Sequence, residues 1–153
     1  EAPDLSVSCS SDVLPEIREY ERTLATAINA ALKPVMDDYV GELEAGIADA
    51  GVDADLKIMQ SNGGIITESA ARDRPVDTLL SGPAAGVQGA AHVAERAGFE
   101  HIVPVDMGGT TCDVPLVRGG EPVVPTERSV SDCPVSVPMV DAPTIGAGGG
   151  SVA

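Results

Sequence analysis

Between Ile102 and Val117 the chain runs I-V-P-V-D-M-G-G-T-T-C-D-V-P-L-V. Two apolar stretches flank a glycine-rich corner with an aspartate at each shoulder. The run from His101 to Val105 predicts a buried strand that delivers Asp106 to its end. Gly108 and Gly109 turn the chain, and a second strand leaves through Cys112, Val114, Leu116 and Val117. Glycine has no Cβ, so backbone N–H groups there can approach an anion closely. Thr110 and Thr111 add hydroxyl donors, and Asp106 and Asp113 can hold a hydrated divalent cation against phosphates. A plain β-hairpin with a Gly-Gly turn is the simpler reading. Two aspartates and two threonines at this spacing favour a clip for the phosphates of a magnesium nucleotide.

The 153 residues suffice for one domain of ordinary size. With 43% apolar but only 2% aromatic residues, its core must be built from Val, Ile, Leu and Ala. No apolar run approaches the ~20 residues that span a bilayer. Cys9, Cys112 and Cys133 lack metal-type spacing and leave one cysteine over in any disulfide scheme. Reduced thiols and a cytoplasmic location are therefore expected. His92 and His101 have no second ligand at metal spacing, so surface or packing roles are expected for both.

Twenty-four acids face nine bases, a formal charge of −15, and only Lys33 and Lys57 are lysines. Such a field repels nucleic-acid backbones, so a nucleic-acid partner is not expected. Acidity this diffuse resembles that of proteins from salt-loving organisms. Self-repulsion is strongest where screening is weak. Helical circular dichroism is expected to fall on transfer from molar KCl to dilute buffer; an unchanged spectrum would rule the idea out.

Along the chain, apolar residues recur every three or four positions from Ile17 through Tyr20, Leu24, Ile28, Ala31, Val35, Tyr39, Leu43 and Ile47 to Ala50. They predict a long helix with one apolar face, stopped by Gly51. Pro34 predicts a kink or a junction of two helices. Leu56–Gln60 is expected to be a strand, Ser61–Gly64 a turn, and Ser69–Arg72 a short helix capped by Thr67. Val76–Leu80 is expected to be a strand. A helix from Ala84 to Ala97 follows, with Pro83 early and Gly98 past its end. Beyond the clip, strands are expected at Val114–Arg118, Glu121–Thr126 and Val135–Val140, with Gly119-Gly120 as a turn. The layers are α/β with an antiparallel part.

Six blocks in order carry a family resemblance: L-P-E-I-R-E-Y-E-R-T (14–23), I-M-Q-S-N-G-G (58–64), L-L-S-G-P-A-A-G-V (79–87), D-M-G-G-T-T-C-D-V (106–114), V-P-M-V-D (137–141) and T-I-G-A-G-G-G-S (144–151). Together they resemble the hydantoinase/oxoprolinase family, which includes hydantoinase A subunits, 5-oxoprolinases and ketone carboxylase subunits. The resemblance implies the actin-like ATPase fold, two ribonuclease-H-like lobes with ATP and Mg²⁺ in the cleft. It implies that residues 1–99 are a helical and α/β part ending in an inter-lobe helix. Residues 100–153 would then begin the second lobe with the second of two phosphate hairpins. No counterpart of the first hairpin precedes residue 106, so an internal piece of a longer protein is expected.

The same resemblance implies Asp106 as the catalytic group, orienting Mg²⁺ or the group that meets the γ-phosphate. Gly108, Gly109, Thr110 and Thr111 would be nucleotide-binding. Asp113 is either a metal ligand or a brace for the turn. Gly148 and Gly149 are either a second anion nest or a crossing too tight for side chains. The implied activity is ATP-dependent opening of a cyclic amide of the hydantoin or 5-oxoproline type, aided by a B-type partner subunit. Ketone carboxylation and a non-catalytic nucleotide-binding module are the alternatives.

Overall fold

The two long helices stop where glycine lets the chain turn left-handed. In the computed structural model, residues 5–125, 128–130 and 133–151 are described, with backbone alone at 128–130, 133 and 134. Helix α1 is Ser10–Val13, α2 Glu19–Asp49, α3 Glu68–Asp73 and α4 Ser81–Arg96. After α4, Gly98 sits at φ +83°. Its N–H donates to Glu95 O and that of Phe99 to Ala94 O, at 3.0 and 2.9 Å. Gly51 closes α2 in the same way, with φ +68°. Each glycine thereby satisfies carbonyls that a helix end leaves orphaned.

The strands are short: β1 Lys57–Met59, β2 Ile65–Thr67, β3 Asp106–Met107, β4 Cys112–Asp113, β5 Val117–Arg118, β6 Glu121–Pro122, β7 Arg128–Val130, β8 Cys133–Val135 and β9 Thr144–Ile145. They form pairs β1–β2, β5–β6 and β7–β8, and one three-stranded antiparallel sheet in the order β3-β4-β9. Between β5 and β6, Gly119 and Gly120 have φ +60° and +80°. Two positive φ values in a two-residue loop match the right-handed twist of the flanking strands, as expected for this turn.

Two compact units emerge, each assembled from separate stretches of chain. The first takes the described parts of Glu1–Ile58, Ile65–Leu79 and Thr126–Val137; the second takes Met59–Gly64, Leu80–Pro125 and Pro138–Ala153. In the first unit, α2 packs against α1, α3 and a 3₁₀ turn at Pro75–Thr78. In the second, Ala84, Val87 and Ala91 of α4 form a core with Val117 and Val140, against which Ile102 packs. Helix α4 thus shares its core with residues that follow it.

Four expectations need correction. Pro34 lies inside α2, one helix of 31 residues, so of the kink and the junction expected there the junction is absent. An interior proline costs about 3 kcal/mol in a missing hydrogen bond and a clash, and the packed neighbours of α2 offset it. The buried positions of α2 are Ala25, Asn29 and Val40, while Ile17, Tyr20, Val35 and Tyr39 are exposed. Small residues and hydrogen bonding, not the most apolar stripe, select the packed face.

Val76–Leu80 is no strand. Pro75–Thr78 forms the 3₁₀ turn, closed by the Thr78 hydroxyl donating to Pro75 O at 2.8 Å. Arg74 brackets the Asp77 carboxylate at 2.9 and 3.2 Å and also donates to Asp12 O. The Asp77 hydrogen bond pushes the Arg74 pKa up, against the opposing effect of partial burial.

Nor is His101–Val105 a buried strand. It makes one bridge, Ile102 to Val117, and Val103 and Val105 are about 60% exposed. Pro104 has no N–H to join a ladder. The downstream strands are likewise shorter than expected. Thr126 lies outside the described residues, and Val137, Met139 and Val140 are buried outside any strand, with Val140 N–H donating to Ser61 O at 2.7 Å. The Thr67 cap is as expected, its hydroxyl accepting from Ala70 N–H at 3.2 Å.

Candidate functional site

Antiparallel register sets Asp106 directly opposite Asp113, and Asp113 opposite Thr144. Directly opposed residues project from the same face of a sheet, so three polar side chains share one row. The Thr144 hydroxyl donates to Asp113 Oδ1. Neither carboxylate has an ion pair among the described residues. Opposed like charges are unfavourable, and a cation between them would remove the repulsion.

Above this row the four-residue loop Gly108–Thr111 is closed by Gly108 N–H donating to Thr111 O at 2.9 Å. The N–H groups of Gly109, Thr110 and Thr111 find no acceptor among the described residues. All four loop residues are exposed. Gly108 and Gly109 have no positive φ, unlike Gly119 and Gly120. A Cβ added at Gly109 would meet nothing within 4 Å, and one at Gly108 only Thr111 O at 3.8 Å. Neither backbone conformation nor internal packing demands glycine at these two positions. Their missing side chains leave the loop backbone open to approach from outside.

Asp106 and Asp113 line a cleft of about 250 Å³ whose other wall is α4, through Pro83, Gly86 and Ala90. A Cβ at Gly86 would stand 3.8 Å from Asp106 Oδ2. Two carboxylates, three unpaired donors and an open approach suit a polyphosphate with its hydrated Mg²⁺, which binds through one or two carboxylates and keeps several waters. Among the described residues there is no group of three or more His, Cys, Asp and Glu that could hold a metal ion alone.

The second glycine-rich stretch meets this same loop. Gly149 N–H donates to Gly108 O at 2.9 Å and Gly150 N–H to Gly109 O at 2.8 Å. Gly148 N–H donates to Ser151 Oγ at 2.9 Å. A Cβ at Gly148 would lie 2.5 Å from backbone atoms of Gly109 and Thr110. Of the two readings open for Gly148 and Gly149, the geometry here is that of a tight crossing, with their N–H groups engaged inside the protein.

The remaining candidates have structural surroundings. Asn62 Oδ1 accepts from Gly64 N–H at 2.7 Å, and Gly63, at φ +88°, leaves no room for a side chain beside Gln88. His101 Nδ1 accepts from Gly119 N–H at 3.1 Å, and His92 is exposed. Cys112 is a buried free thiol and Cys9 an exposed one; the Cys133 side chain lies outside the described residues. Two neighbours of the aspartates are not among the site residues expected from sequence, Thr144 on Asp113 and Gly86, whose small size suggests helix packing, beside Asp106. Both lie in blocks that carry the family resemblance. Their partners are far away in sequence, so no local pattern could pair them.

The likeness to solved structures described below makes this an α/β piece of the actin-like ATPase fold, carrying the glycine-rich hairpin. The sequence model of the hydantoinase/oxoprolinase family matches residues 22–153. The chain belongs to that family. It is 38% identical to caprolactamase subunit alpha of Pseudomonas jessenii over 99% of this chain and 22% of that one. The crystal structure of that ATP-dependent caprolactamase superposes with a TM-score of 0.86, over 98% of this chain and 22% of the other. A nucleotide-free structure of acetone carboxylase, from work on ATP-dependent acetone carboxylation, gives a TM-score of 0.79 at 30% identity, over 91% of this chain and 19% of that one. 5-Oxoprolinase 1 of Arabidopsis thaliana is 34% identical over 95% of this chain and 11% of its own length. The chain therefore spans about a fifth or less of these relatives. Among the described residues, no helix is long and apolar enough to cross a membrane.

Proposed function

We propose that this chain supplies one phosphate-gripping hairpin of an ATP-dependent enzyme that opens cyclic amides. The observation that carries the proposal is the set of unpaired N–H groups at Gly109, Thr110 and Thr111 above the opposed Asp106 and Asp113. Gly109, Thr110 and Thr111 hold phosphate oxygens. Asp106 would hold the hydrated Mg²⁺ and orient the incoming group, and Asp113, steadied by Thr144, would share the cation.

ATP supplies a phosphoryl group to the amide carbonyl oxygen, which makes the carbon more electrophilic and the oxygen a better leaving group. Such transfer rests on positioning and charge neutralisation, with little covalent work by the protein. Water then adds to the activated carbon, and the ring C–N bond breaks with the nitrogen leaving as a protonated amine. A second water hydrolyses the resulting acyl phosphate to carboxylate and phosphate. Caprolactamase and 5-oxoprolinase among the relatives favour a lactam or hydantoin, and the subunit designation of the former favours a second, B-type subunit. Carboxylation of a ketone is the second reading, favoured by the likeness to acetone carboxylase. We further propose a cytoplasmic enzyme of a salt-adapted organism, in keeping with the charge of −15 and the free thiols.

Phosphate release from Mg-ATP by the intact protein carrying this chain, in molar KCl, tests the proposal. Lactams, 5-oxoproline and hydantoins are compared with ketones plus bicarbonate. Stimulation by a cyclic amide is the expected result. Stimulation by ketones alone selects the carboxylase, and bound ATP without stimulation by any of them, partner subunit present, overturns the enzymatic reading.

A further inference from the structure

The carbonyls of Gly108 and Gly109 are both held from one side, by the N–H groups of Gly149 and Gly150. A trans peptide is planar, and its N–H points opposite to its C=O. The carbonyl of Gly108 shares a plane with the N–H of Gly109, and that of Gly109 with the N–H of Thr110. Holding both carbonyls on the inside therefore aims two successive N–H groups outward. These are two of the three donors that lack an acceptor. Were either peptide to flip, an oxygen would face the phosphates and a donor would be lost.

We infer that the Gly148–Ser151 turn is a clamp that orients the donors of the phosphate hairpin, with Gly148 as its positioning residue. The inference rests on the phosphate reading given above and deepens it. The turn closes on itself, Gly148 N–H to Ser151 Oγ and Ser151 N–H to Gly148 O, both at 2.9 Å. It docks against backbone at a distance only glycine permits. A Cβ at Gly148 would sit 2.5 Å from Gly109 C and Thr110 N, and one at Gly150 would sit 2.9 Å from Gly109 O. Backbone atoms cannot swing aside as a side-chain end can. A Cβ at Gly146 would meet nothing within 4 Å, so an alanine there is harmless. Alternate glycines are thus demanding and tolerant, a pattern that glycine-rich flexibility alone does not produce.

The experiment uses the intact protein with Gly148→Ala, Gly146→Ala and Ser151→Ala, the last loosening the turn without adding volume. Binding of Mg-ATP, inorganic triphosphate and adenosine is measured by calorimetry, with amide hydrogen exchange across residues 146–151. Gly148→Ala should weaken ATP and triphosphate about tenfold or more, the scale of one charge-assisted donor, and leave adenosine unchanged. Ser151→Ala should move the same way by less, and Gly146→Ala should match the parent. Wild-type ATP affinity in both Gly148→Ala and Ser151→Ala would overturn the clamp, as would a parallel loss of adenosine. Should the parent protein bind no ATP, the phosphate reading itself fails. The clamp is then judged by exchange alone: slow Gly149 and Gly150 amides that become fast in Ser151→Ala sustain it, and fast amides in the parent overturn it.

Discussion

Replacing Asp106 with Asn in the intact protein should lower substrate-stimulated phosphate release by about 10²–10³-fold, the scale seen when one preorganised electrostatic group is removed from a transition state. The fold should persist. Asp106 is exposed, its β3–β4 pairing is made by backbone, and no ion pair among the described residues depends on it. Asparagine keeps the shape and removes the charge, so the loss tests electrostatics at the cleft and not packing. ATP affinity in the presence of Mg²⁺ should fall along with turnover, because on the proposed function the cation would lose one of two opposed carboxylates. Phosphate release at the parent rate would show that the cleft beside Gly86 is not where phosphoryl transfer is organised.

The second large effect concerns stability. Asn29 is fully buried, and its amide is fully used. Its Nδ2 donates to Ser8 Oγ and to Asp73 O, both at 3.1 Å, and its Oδ1 accepts from Val76 N–H at 3.3 Å. One side chain on α2 therefore ties the N-terminal segment, the end of α3 and the 3₁₀ turn. Asn29→Ala removes three hydrogen bonds and leaves the Val76 N–H buried without an acceptor. An unsatisfied buried donor costs ~1–3 kcal/mol, so the Val76 amide should exchange about 10–100-fold faster with deuterium. Exchange at the parent rate would mean that the amide network is dispensable.

Local chemistry was legible where one residue decides the geometry. Gly51, Gly98, Gly119 and Gly120 all adopt the positive φ that their positions suggested. Thr67 caps α3 through its hydroxyl, and Pro83 sits in the first turn of α4. The hairpin around Gly108 and Gly109 was legible too, because its strands are adjacent in sequence. Where partners come from afar, the reading faltered. The apolar repeat on α2 named Tyr20, Val35 and Tyr39, yet the packed face is selected by Asn29, whose partners lie 21 to 47 residues away. Val76–Leu80 has the composition of a strand, but a strand needs a neighbour, and Arg74 and Asp77 stabilise a tight turn instead.

The amino-acid sequence by itself determined the family, through six blocks in order, and also the helix stops and the glycine-rich hairpin with its two aspartates, each of which depends on residues within a short span. It also determined the acidic surface, because charge is a sum over residues and needs no coordinates. Only the tertiary structure decided that Thr144 holds Asp113, that Gly86 opens the space beside Asp106, and that Gly148 docks on Gly109 and Thr110. Those contacts join segments 20 to 39 residues apart, taking the Gly86–Asp106 and Gly109–Gly148 separations as the bounds. At such separations no spacing rule links the partners, and excluded volume and hydrogen-bond direction in the folded chain choose among the pairings that the residue types allow.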